Sequence, residues 1–566
     1  MLSFAVSNTR MDHGYDGENT MNKLSRLKSR ALTMTGSLRR HGAAGATLAA
    51  LALLGAAASS AQSVLQRGYN AGVTGANLQE TTLTTTNVTP STFGKVFTLP
   101  VDDNVFAQPL YVPDVAIANG GGTHNVVYVA TMSDSVFAFD AASGVRLWSI
   151  NLATRVGAVP VPIAQFAFSG NRNITGNLGI LSTPVVDSST HTLYLVAATL
   201  EGGTIVYRLH AIDIRSGAEA IGSVGMVISG THGGYTFDAR YVTQRVSLTL
   251  AGNNVVFGFG AVELEYSGGY SGWVMAYNTS TLAQSGAFAT ITSGNNGGGV
   301  WQSGRPPVVD SSGHAYVFVG NGYGGGYNGT TNFSESVLKL NPSSSLKLLD
   351  WFTPADWSTL DSEDLDLTSS GPLLIPGTSL LAGGGKLGVL YLLSTSSLGK
   401  LSTNDRNAVQ KETISLGEIR GGPVFWQRPA SAGGDLLFNW GANDALKSYA
   451  FSGSRLGTSP TATGSPSSQD WPGGILALSA NGSKAGTGVV WATVAVSGDA
   501  ENNPPVPGAL YAFNADNVST QLWNSTLNAT RDRVGNFAKF VPPLVANGRV
   551  YVATFSNQVA VYGLLP

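Results

Sequence analysis

Four short stretches in the middle of the chain carry side chains suited to chemistry. Asp361, Glu363, Asp364 and Asp366 place four carboxylates within six residues of a chain that is only 12% charged. Carboxylates that close raise one another's pKa unless a cation neutralises them. One held beside a cation can take a proton from a hydroxyl as a general base. Asp366 ends this cluster. Lys386, in Gly383-Gly384-Gly385-Lys386-Leu387-Gly388, brings an ammonium that can stabilise negative charge on a reacting oxygen. Asn321, between Gly320 and Gly322, offers a neutral oxygen to a hard cation such as calcium. Trp301 follows Gly297-Gly298-Gly299-Val300 and offers a large flat face on which a tricyclic ligand could stack. Each also has a plain structural reading: Asp366 in a solvated acidic loop, Lys386 on the surface, Asn321 in a left-handed turn, Trp301 packed between sheets.

The elements that must position these residues repeat. Val126-Val127-Tyr128-Val129-Ala130-Thr131, Ser135-Val136-Phe137-Ala138-Phe139-Asp140 and Gly144-Val145-Arg146-Leu147-Trp148 read as strand, turn, strand, turn, strand. Alternating apolar and small residues suit a sheet packed on both faces. The unit returns as Thr192–Val196 with Leu209–Asp213, as Val255–Gly258 with Gly272–Asn278, and as Ala315–Val319 with Ser336–Asn341. Further copies begin at Leu380, Leu436 and Val489, and the last is Val550–Thr554 with Val559–Tyr562. Eight copies, roughly 60 residues apart, predict a radial array of four-stranded blades with long loops between strands. Seven blades plus a stray hairpin is the nearest alternative. Ring closure predicts that a strand in Thr92–Pro100, or just after it, pairs with the last sheet, because closure hides two sheet edges.

The first and last units, with Tyr-Val-Ala-Thr, Phe-Ala-Phe-Asp and Gly-x-x-Leu-Trp, resemble the repeat of pyrroloquinoline quinone (PQQ) dehydrogenases. The resemblance covers nearly all of residues 92–566. It implies an all-β, eight-bladed β-propeller of the quinoprotein alcohol dehydrogenase type. In those enzymes a similar order appears: a Gly-rich stretch with a Trp under the quinone, a Gly-Asn calcium ligand, an Asp base, and a Lys or Arg contacting the quinone. By that likeness Trp301 and Lys386 bind PQQ, Asp366 is the catalytic base, and Asn321 and Asp366 ligate Ca2+. A Glu from the preceding blade completes the metal set. Glu263 is preferred, and Glu265 is the alternative. The chain departs from the pattern in three ways. It lacks the adjacent cysteines that form a ring disulfide over the quinone, it has Leu365 where the family has Trp, and it carries no cytochrome domain.

Composition narrows the classes. With 32 Lys+Arg against 34 Asp+Glu, the formal charge of −2 gives no basic nucleic-acid footprint. An apolar content of 43% can build a core. Without cysteine there is no disulfide, no thiolate metal site and no CxxCH haem attachment. The 71 glycines follow no G-X-Y period and suit tight turns. Near the N-terminus, Lys23, Arg26, Lys28, Arg30, Arg39 and Arg40 precede an apolar run, Ala43 to Ala58, and then Ser59-Ser60-Ala61. This reads as a cleaved signal peptide, with a mature start near Gln62 and no membrane span afterwards. The run is shorter than the ~20 residues of a span. The expected organisation is an extension and signal at 1–61, a linker at 62–91 and the propeller at 92–566, in the periplasm or outside the cell. Two functions follow. One is a PQQ/calcium-dependent dehydrogenase that oxidises an alcohol or sugar and passes electrons to an external acceptor. The other is a non-catalytic propeller that binds a glycan or protein as a scaffold. A lyase or hydrolase on a propeller is a third and weaker reading.

Overall fold

The computed structural model describes residues 63–166, 174–261, 269–294, 297–322, 326–467, 471–500 and 505–566. All lie in the compact unit Ser60–Pro566. The expected signal peptide lies outside the described residues. No helix among them is long and apolar enough to cross a membrane.

Eight antiparallel sheets follow one another along the chain, each begun by a short first strand. Blade 1 runs through Leu110–Ile117, Gly122–Ala130, Ser135–Asp140 and Arg146–Asn151. Blades 2 to 7 have first strands at Val185–Asp187, Thr249–Ala251, Val308–Val309, Leu373–Ile375, Val424–Trp426 and Ile475–Ser479. Blade 8 takes Leu544–Ala546, Arg549–Ala553 and Gln558–Leu564 from the C-terminus and its fourth strand, Phe93–Pro100, from the N-terminal end. The register of that closing pair runs from Phe93↔Leu564 to Pro100↔Gln558, with a bulge between Lys95 and Phe97. The ring therefore closes as the repeat predicts, with the N-terminal strand completing the last sheet. Asn547-Gly548 joins the first two strands of blade 8, and both residues have positive φ, 49° and 74°. That is the backbone a two-residue hairpin needs, and Asn-Gly supplies it cheaply.

The tyrosine of the repeat has a physical job beyond filling the core. In blades 1, 2 and 8 it lies on the second strand, and its hydroxyl donates to a carbonyl just beyond the third strand of the next blade. The pairs are Tyr128 to Ile214 at 2.9 Å, Tyr194 to Thr279 at 2.8 Å and Tyr551 to Ala141 at 3.1 Å. The last pair ties blade 8 to blade 1 across the closure. Between blades 7 and 8, Phe93 packs on Trp491 and Trp523 with ring centroids 5.3 and 5.0 Å apart. Such rings add large buried areas to the mostly aliphatic layers between neighbouring blades.

Residues 63–82 precede the closing strand and form a strap. Val64 exchanges backbone hydrogen bonds with Tyr111 of blade 1, and Leu65 accepts from Val186 of blade 2. Gln66 Oε1 accepts from the Thr249 hydroxyl of blade 3 at 3.4 Å. Ala71, Gly72, Thr74 and Gly75 then accept from Val309, Leu374, Phe425 and Leu478 of blades 4 to 7 at 2.8–2.9 Å. Asn77 donates to Val545 of blade 8 at 2.9 Å. The strap thus touches the first strand of all eight blades in order and winds once around the axis. Buried Glu80 ends it, accepting from the N–H groups of Thr82, Leu83 and Gly548.

Candidate functional site

The chain enters most first strands through a segment that carries one bulky or charged side chain, four to seven residues ahead of the strand. These are Phe106, Arg245, Trp301, Asp366, Arg420, Trp471 and Phe540, ahead of blades 1 and 3 to 8. Equivalent positions in a closed ring point at its axis, and the contacts show that they meet there. Trp301, ahead of blade 4, reaches Phe540, ahead of blade 8, with centroids 6.2 Å apart. Phe540 packs edge-on against Trp471 at 5.2 Å. The Arg420 guanidinium lies 5.5 Å from the Trp301 ring centre and 4.8 Å from that of Trp471. Arg245 lies 5.4 Å from Phe540 and 5.9 Å from Phe106, and Lys539 5.5 Å from Trp471. Cations over aromatic faces are attracted by the ring quadrupole, most strongly when desolvated, and Arg245, Arg420 and Lys539 are all buried.

Beside this group, three of the residues singled out from the sequence make one hydrogen-bonded cluster. Lys386 sits in the turn between Leu380–Gly384 and Val389–Ser394 of blade 5. Its ammonium bridges Asp364 Oδ1 and Asp366 Oδ2, each at 2.7 Å. Asn321 follows the second strand of blade 4. Its N–H donates to Asp366 Oδ1 at 3.1 Å, and its side-chain amide donates to Asp364 Oδ1 at 2.6 Å. Gly320 is required here, since a Cβ would collide with the Asp366 carboxylate. The structural alternatives fail for these residues. Asn321 is fully buried and has no positive φ, Asp366 is 1% exposed, and the Lys386 side chain is 9% exposed. Glu363 alone behaves as an exposed loop charge.

Burial pushes the Asp366 carboxyl up, but the Lys386 charge and hydrogen bond, the Asn321 N–H and the Arg420 charge outweigh it. The group is held below the ordinary carboxylate range. Asp364 moves the other way, raised by burial and by the Asp366 charge against the pull of Lys386. Asp361, at the end of the short helix Trp357–Ser362, accepts from the Gly322 N–H and is raised by burial and again by Asp366. Asp366 is therefore the carboxylate kept ionised in the cluster.

The sequence reading missed several members. Glu335, fully buried and with φ of 48°, accepts from the Leu367 N–H at 2.6 Å and braces the Asp366 loop. Arg245, Arg420, Trp471, Lys539 and Phe540 were also overlooked. Their common place ahead of a first strand was the available signal, had the repeats been aligned by phase. Glu263 and Glu265 lie outside the described residues.

No known protein family matches the chain, and no curated protein matches it in sequence. Solved structures do match. A quinohemoprotein alcohol dehydrogenase of Pseudomonas putida HK5 superposes with a TM-score of 0.55 at 15% identity, covering 89% of this chain and 80% of its own. The quinohemoprotein alcohol dehydrogenase of Comamonas testosteroni gives 0.53 at 14% identity, with the same coverage. The chain has their propeller fold.

The residues were tested against the two groups that the likeness implies. PQQ is a planar tricarboxylate. Trp301, Trp471 and Phe540, with Arg245, Arg420, Lys539 and Lys386 beside them, fit that chemistry: flat faces for the rings and cations for the carboxylates. Calcium needs six to eight oxygens. Among the described residues no three acids or histidines converge for a metal. Asp366 has one oxygen on the Asn321 N–H and the other on Lys386. The described residues by themselves do not assemble a calcium shell.

Proposed function

We propose that the protein is an exported PQQ-type quinoprotein that oxidises an alcohol or sugar and hands electrons to an external acceptor. One observation carries the reading. Asn321 and Lys386, matched to the dehydrogenase pattern one by one, both hydrogen-bond Asp366, and the Arg420 charge acts on Asp366 from over the Trp301 ring. Bound PQQ would supply a two-electron acceptor. Trp301 would offer its face to the ring plane, and Arg420, Arg245 and Lys539 would balance the carboxylates. Lys386 pairs with Asp366 and would be the cation beside a bound quinone, and Asp366 is the carboxylate that would accept the hydroxyl proton of the substrate. Buried aromatic walls exclude water, so the charge of Asp366 acts through a low dielectric.

The test is to titrate the purified chain with PQQ, with and without calcium, and to follow the absorption spectrum, calorimetry and dye-linked turnover. Saturable binding with turnover of at least one alcohol or sugar supports the reading. Absence of PQQ binding at any calcium concentration ends it. One feature favours a binding-module alternative: Lys386 already satisfies both carboxylates within the protein. On that reading a glycan or protein ligand occupies the mouth, and PQQ binds neither with nor without metal.

A further inference from the structure

Arg67 has no role in the chemistry above and stands in an unusual place. It lies on the strap, between Gln66 at blade 3 and Ala71 at blade 4, and its side chain enters the ring. The residue is 4% exposed. Its guanidinium makes no hydrogen bond or ion pair with any described residue. It lies against Gly304, in the turn after Trp301, where a Cβ would fall on its Nη1 atom and 3.6 Å from its Cζ. Gly304 has φ of 76° and leaves the space that the guanidinium uses. Two more arginines share this part of the channel. Arg245 passes its backbone carbonyl 3.4 Å from the same point. Arg305 spends its terminal nitrogens on the carbonyls of Val73, Gly421 and Pro423 and so pins the strap to blades 5 and 6, while its buried Nε finds no partner.

A guanidinium cannot shed its charge at any ordinary pH. Burying one beside two like charges, with no carboxylate in reach, is unfavourable. Five N–H donors in a rigid fork match an oxyanion better than any other partner. Burial, and then the charges of Arg305 and Arg245, depress the pKa of Arg67, as expected for a cation short of negative charge.

We propose that Arg67, with Arg245 and Arg305 beside it, forms an internal oxyanion site between the strap and the Trp301 turn, for which inorganic phosphate and sulfate are the probes. The bound anion neutralises the arginine cluster and locks the strap inside the ring. The site lies on the strap side of Trp301 and shares only Arg245 with the quinone reading; its central residue, Arg67, has no part in that reading.

The experiment uses the whole exported chain without PQQ. Melting is followed while sodium phosphate or sulfate replaces sodium chloride at constant ionic strength. Equilibrium dialysis with radiolabelled phosphate gives the stoichiometry of the wild type directly. Expected are one bound phosphate per chain and a saturable rise in Tm of a few degrees at about a hundredfold excess over Kd. Arg67→Met should lose both the binding and the rise. Arg67→Lys, which keeps the charge but not the fork, should weaken binding about tenfold or more. The proposal is overturned if the wild type binds no phosphate or sulfate, or if Arg67→Met responds to the anions as the wild type does. If Arg67→Met does not fold, the dialysis result on the wild type still decides between one bound anion and none.

Discussion

The two sides of the channel mouth are built from opposite materials. On the side of blades 4 and 5, the Lys386 ammonium bridges Asp364 and Asp366, while Asp361 and Glu335 accept from the nearby backbone N–H groups of Gly322 and Leu367. On the side of blades 6, 7, 8 and 3, Arg420, Lys539 and Arg245 lie over Trp471 and Phe540, and Arg420 also over Trp301, which reaches across from blade 4. Acids around one cation can hold and move a proton. Cations over aromatic rings can hold a flat anion, and the carboxylate seen among them, Glu418, is spent on the Arg420 guanidinium. The difference teaches that binding and proton transfer are assigned to separate arcs of one ring, with Arg420 as the contact between them. Substitutions on the two arcs should therefore change different measurements.

The largest expected effect is on the acidic arc. Asp366→Asn should lower dye-linked turnover ~10²–10⁴-fold, the usual contribution of a general base, while PQQ affinity by calorimetry stays near the wild-type value. Equal losses of both would erase the division between the arcs. Next, on the cationic arc, Trp301→Ala should weaken PQQ binding by about 1–3 kcal/mol for a lost stacking face. Turnover at saturating PQQ should stay close to that of the wild type.

The third prediction concerns pH. The folded pKa of Asp366 is depressed, so its contribution to stability is present above the unfolded pKa and lost as pH falls through the folded value. Asp364 and Asp361 are raised, so their contributions are present at low pH and lost as pH rises through their folded values. Lys386→Met removes the cation that holds Asp366 down. Its melting temperature should then rise on acidification from pH 7 toward pH about 5, where a carboxyl freed of its cation can protonate. The wild type should gain less over the same window, and parallel curves for the two proteins would remove Lys386 as the cause. The smallest expected effect lies away from the mouth. Tyr551→Phe deletes the hydroxyl that ties blade 8 to blade 1 and should cost roughly 1–3 kcal/mol by urea unfolding, because the Ala141 carbonyl loses its donor. Turnover and PQQ affinity should not change.

Much of the fold was legible because the repeat is a local pattern. Tyr128, Tyr194 and Tyr551 recur at one phase of the strand–turn–strand unit, and Asn547-Gly548 declares its own hairpin. The site was legible only where glycines flanked a chemical residue, as at Asn321 and Lys386. Trp301 stood out in the same way, but nothing near it in sequence announced Arg420 as its partner. Glu335 and Arg67 carry no local mark at all.

The sequence by itself determined the number of blades, the closing of the ring by residues near Thr92–Pro100, and the order of the candidate site residues, since each follows from strand periodicity and turn chemistry over a few neighbouring positions. Only the tertiary structure decided that Lys386 binds Asp364 and Asp366, that Trp301 meets Phe540 across the axis, and that residues 63–82 wind round all eight blades. Those contacts join residues tens to hundreds of positions apart. Closing the ring brings them together, and their energies depend on a burial that no local stretch of sequence records.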